Sequence, residues 1–111
     1  MNKKSEINIL VELDEQKMPV KIEWEATDAG FDGKKPAKTL MLSVWDEEDN
    51  VTLGIDLWTK QMTVEEMSLH FHQMLFKMAD TFERATLNKE ASNLLRDFSS
   101  TFAKKLELKE K

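Results

Sequence analysis

The spacing of apolar side chains changes once along this chain, from every second residue before about Lys60 to a 3.6-residue period after Met62, and that change constrains the fold more than any other feature. A period of two suits strands with one buried face, and 3.6 suits amphipathic helices, so strands come first and helices second, as in an α+β protein. Ile7, Ile9, Val11 and Leu13 alternate with Glu6, Asn8, Glu12 and Asp14, interrupted only by Leu10. Val20, Ile22, Trp24 and Ala26 alternate with Lys21, Glu23 and Glu25 in the same way, and residues 14–19 suit a hairpin loop that ends at Pro19. Residues 27–38 hold all but one of the glycines, together with Pro36, and read as a long, mobile loop. Strands over residues 40–45 and 51–58 flank Asp46-Glu47-Glu48-Asp49-Asn50, an acidic turn too costly to bury. The expected sheet is four-stranded and antiparallel, made of two hairpins, with Val51, Leu53, Ile55 and Leu57 pointing inward from the last strand.

Thr63-Val64-Glu65-Glu66 has the form of a capping box and predicts a helix start. Met67, Phe71, Met74, Leu75, Met78, Phe82 and Ala85 then fall on one stripe of the helical wheel. Asn88 predicts the cap of a second helix with the stripe Ala91, Leu95, Phe98, Phe102 and Leu106, and the short link before it favours an antiparallel hairpin. Both stripes are expected to pack on one face of the sheet. The whole chain, 1–111, reads as a single domain, with a sheet half over 5–60, a helical hairpin over 63–106 and a charged tail over 107–111 that frays.

Composition excludes several kinds of chemistry. With no cysteine among 111 residues, disulfides, thiolate nucleophiles and zinc–thiolate sites are ruled out. The formal net charge of −5 has the wrong sign for neutralising phosphates, so no nucleic-acid partner is expected. The acidity is concentrated in residues 1–60, with 13 acidic against 8 basic side chains, whereas residues 61–111 balance at 8 and 8. The opening Met1-Asn2-Lys3-Lys4-Ser5-Glu6 is followed by alternation and not by an apolar run, so it does not read as a secretory leader. Nor do about twenty apolar residues occur together. The expected location is the cytoplasm, without membrane insertion.

Motifs for catalysis or metal binding fail on geometry. His70 and His72 stand two apart, about 200° around a helix, and cannot close on one ion, while Glu66 and His70 share a face but supply two ligands only. Asp28, Asp32 and Gly33 imitate a calcium loop, yet Gly30 occupies the third place and Thr39 the twelfth, where a glutamate is required. Ser92, Ser99 and Ser100 have no histidine nearby in sequence. The carboxylates of residues 46–49 read as a solvated turn, and those of the Gly30 loop leave an enzyme as the least favoured reading. The expectation is a non-enzyme with no cofactor and no metal.

Apolar residues on the wrong faces carry more information. Leu10, Met41, Trp45 and Trp58 fall opposite the inward sets of their strands, and Leu69 and Phe76 fall almost opposite the first helical stripe. Such residues either form a patch for another chain or extend the core, and Leu69 and Phe76 have the further choice of packing across to the second helix. Tryptophan is enriched at binding hot spots, which makes Trp45 and Trp58 the leading protein-interaction candidates.

These residues also resemble a known family. Ser5-Glu6-Ile7, Val11-Glu12-Leu13-Asp14-Glu15, Ile22-Glu23-Trp24 and Ala26-Thr27-Asp28 are similar to the amino-terminal half of the gliding motility protein GldC. Leu42-Ser43-Val44-Trp45-Asp46, Ile55-Asp56-Leu57-Trp58-Thr59-Lys60, Phe71-His72-Gln73, Met78-Ala79-Asp80-Thr81-Phe82, Arg84-Ala85-Thr86 and Phe102-Ala103-Lys104-Lys105-Leu106 continue the resemblance in order. It implies a cytoplasmic accessory protein of the Bacteroidota, tied to surface motility and the secretion system that shares its machinery, with a protein partner there and no catalytic residue to carry over. The order of four strands and two helices is also similar in architecture to the export chaperone SecB, which makes an oligomeric chaperone or adaptor for motility and secretion clients the alternative.

Overall fold

Asp14 sets the first turn. Its Oδ1 accepts from the N–H groups of Gln16 and Met18, both at 2.9 Å, while Lys17 takes a left-handed φ of 64°. In the computed structural model, which describes residues 2–108, this turn joins β1 (Ile7–Leu13) to β2 (Pro19–Ala26). The chain continues through β3 (Lys35–Ala37), β4 (Thr39–Asp46), β5 (Val51–Trp58), α1 (Val64–Thr86) and α2 (Lys89–Lys105). It divides into two units, Met1–Met62 and Thr63–Lys111.

The α+β class and both hairpins are as expected, but the strands form two antiparallel sheets, β1-β2-β3 and β4-β5. The extra strand lies in the segment read as loop. Gly30 and Gly33, with φ of 83° and 76°, turn the chain back so that Lys35, Pro36 and Ala37 pair with Trp24, Glu23 and Ile22. Three residues centred on a proline carry no alternation signal, and proline suits this edge position because it has no N–H to offer. Phe31 ties the loop to β2: its ring meets Trp24 edge-to-face at 5.1 Å, with the Lys35 ammonium 5.2 Å from its centre. Lys38 alone separates β3 from β4, and its carbonyl accepts from the Thr59 N–H at 2.8 Å, extending the second ladder to this junction.

Cross-strand pairing assigns the faces. Ile7, Ile9 and Val11 stand opposite Ala26, Trp24 and Ile22, and Ile22 is the buried centre of this sheet. In the second sheet Leu40, Leu42, Val44 and Asp46 face Leu57, Ile55, Leu53 and Val51. The expected inward set therefore does share a face, on which Leu42, Val44, Val51, Leu53 and Ile55 are 39–53% exposed.

Two consequences can be measured. A Cβ on Gly54 would stand 2.9 Å from the Leu42 carbonyl oxygen. Gly54→Ala is thus expected to destabilise the second hairpin by about 1–3 kcal/mol in urea unfolding. The Asp14 carboxyl is held below the usual carboxylate range, chiefly by the Met18 N–H, against the cost of desolvation, with the Gln16 N–H and nearby Lys60 assisting. A depressed folded-state pKa contributes stability above the unfolded value near pH ~4 and loses it as pH falls through the folded value. Between neutral and acid pH, the urea midpoint of the wild type is expected to fall more than that of Asp14→Asn.

In the second unit the capping box forms: Thr63 Oγ1 accepts from the Glu66 N–H and Glu66 Oε1 from the Thr63 N–H, each at 3.0 Å. Asn88 caps α2 by accepting from the Ala91 N–H at 3.0 Å. The two helices meet through small side chains, with Ala79, Ser92, Ser99 and Ala103 all buried. The Ser99 hydroxyl donates to the His72 carbonyl at 3.1 Å, which leaves His72 Nδ1–H to donate to Ser99 Oγ or its carbonyl, at 2.9 and 3.1 Å. Arg96 reaches Asp80 and Glu83, both at 2.8 Å. These pairs run in opposite order along the helices, as an antiparallel hairpin requires. The seam is therefore lined by alanine, serine and histidine, while Phe71, Met78, Phe82, Phe98 and Leu106 keep 38–56% of their surface.

The start of the tail is ordered by hydrogen bonds. Glu107, at φ 54°, donates to the Lys104 carbonyl at 3.1 Å, and Leu108 donates to the Ala103 carbonyl at 2.9 Å, the pattern of a Schellman cap. The rest of the segment expected to fray, 109–111, lies outside the described residues.

Candidate interaction surface

The strand register decides which of the six candidate residues stand together. Thr39, Met41, Ser43 and Trp45 on β4 pair with Trp58, Asp56, Gly54 and Thr52 on β5, so Met41, Trp45 and Trp58 share one face of the hairpin. Trp45 is 66% exposed and Trp58 54%. Six residues separate the ends of this row on each strand, which places the two tryptophans roughly 20 Å apart along the hairpin. Between them the floor is made of small side chains, Ser43, Gly54 and Thr52, with Met41 half-buried and Asp56 as the face's one charge. The arrangement is a shallow strip with an aromatic ring near each end and a carboxylate near its middle. Apart from the acidic turn at its tip, the hairpin carries no other charge.

The remaining candidates stand elsewhere. Leu10 is half exposed on β1 of the other sheet, opposite Glu23 on the polar face it shares with Glu12 and Glu25. Leu69 and Phe76 lie, by helical spacing, on the side of α1 that carries His72 and Ala79 and meets α2. Leu69 lines a cleft of about 790 Å³ with Val64, Leu106 and Leu108, at the open end of the hairpin. Phe76 packs edge-to-face on His72 at 5.3 Å and keeps 37% of its surface.

No helix among the described residues is long and apolar enough to cross a membrane. Among the same residues, no group of three or more histidines, aspartates and glutamates is placed to hold a metal ion. An open cleft of about 320 Å³ beside the Gly30 loop is lined by Glu6, Glu25, Asp32 and Phe31. Ser99 does have a histidine partner, His72, found 27 residues away and not locally, but its hydroxyl is fully buried and out of reach of a substrate.

One feature escaped sequence reasoning, the helical seam, for which a signal existed: Ser92, Ser99 and Ala103 recur at seven and four residues, the spacing of small side chains at a close helix contact.

The model of the gliding motility-associated, GldC-like family matches residues 19–108, from the first residue of β2 to the Schellman cap. The chain belongs to the GldC-like family. Membership associates it with gliding motility. Neither a curated protein nor a solved structure matches the chain. The matched span contains Met41, Trp45, Trp58, Leu69 and Phe76, while Leu10 precedes it. The tryptophan face is thus part of the GldC-like region itself.

Proposed function

We propose that this GldC-like chain is a non-enzymatic, cytoplasmic accessory protein of gliding motility that acts by binding a protein of the motility or secretion machinery. The observation that carries the reading is the pair of half-exposed tryptophans, Trp45 and Trp58, held on one face of a hairpin within the family-matched region. Exposed indoles contribute little to folding and much to a partner that desolvates them. A strip roughly 20 Å long takes an extended segment of about six residues, and Asp56 at its centre favours a lysine or arginine in that segment.

The test is genetic complementation in the bacterium that encodes the chain. Deletion is expected to impair gliding, wild type to restore it, and Trp45→Ala/Trp58→Ala to fail while accumulating to the wild-type level. Full rescue by the double variant would sink the proposal.

A second reading, an oligomeric chaperone or adaptor in the manner of SecB, draws on the exposed aliphatic face of the β4–β5 hairpin. It predicts that the purified chain delays aggregation of an unrelated unfolded protein. The accessory-protein reading predicts no such delay.

A further inference from the structure

No further inference is drawn: the strongest candidate, the cleft of about 320 Å³ lined by Val20, Ile22, Ala37 and Thr59 where β3 leads into β4, carries nothing, because the unpartnered Thr59 hydroxyl is buried out of reach of any ligand and nothing else in the structure shows what the cleft would hold.

Discussion

Ala79→Leu is expected to lower the thermal midpoint of the helical unit by roughly 12–24 °C, the equivalent of about 3 kcal/mol in a unit this small. Ala79 has no exposed surface, and its neighbours cannot retreat freely. Ser99 and His72 hold the helices together on one side of it in sequence, and Arg96 bridges to Asp80 and Glu83 on the other. Three added carbon atoms must part the helices and break those bonds, or take up a strained rotamer. Met78→Leu, one residue away but half exposed, is the control and should move stability by less than about 0.5 kcal/mol. Thermal unfolding followed by far-UV circular dichroism reads both. An unchanged midpoint for Ala79→Leu would show that the seam does not hold the helices together.

Truncating Trp45 and Trp58 is expected to have the opposite signature. Each change to alanine should weaken partner binding by about 2 kcal/mol, or roughly thirtyfold, since both indoles stand where a partner would desolvate them. Stability should hardly move, because more than half of each side chain already meets solvent. A tryptophan in a packed core would cost about 3–5 kcal/mol on truncation. The two expectations are thus separable in one pair of measurements, affinity and urea midpoint on the same variants. Loss of folding without loss of specific affinity would return both residues to the core reading.

The two periods in the sequence were sufficient to assign the class, both hairpins and both helix starts, because alternation, the capping box and Asn88 act locally. They did not reveal β3, where the pairing of Lys35, Pro36 and Ala37 depends on two glycine turns that bring the chain back to β2. A period of 3.6 shows that a helix has an apolar stripe but not which side its neighbour occupies, and α1 meets α2 along the line of His72 and Ala79, away from Phe71, Met78 and Phe82. Small side chains win that contact because they allow close approach and leave serine and histidine able to satisfy one another. At the candidate surface, strand parity alone put Met41, Trp45 and Trp58 on one face, and the register agrees. Parity has no meaning across separate elements, which is why Leu10, Leu69 and Phe76 stand apart from them.

The most direct measurement is an affinity capture after mild crosslinking, from the native bacterium, comparing tagged wild type with Trp45→Ala/Trp58→Ala and read by mass spectrometry. Binding through the tryptophan face predicts a motility or secretion component recovered with the wild type and lost from the double variant, at equal amounts of folded bait. Recovery of the same component by both baits would contradict it.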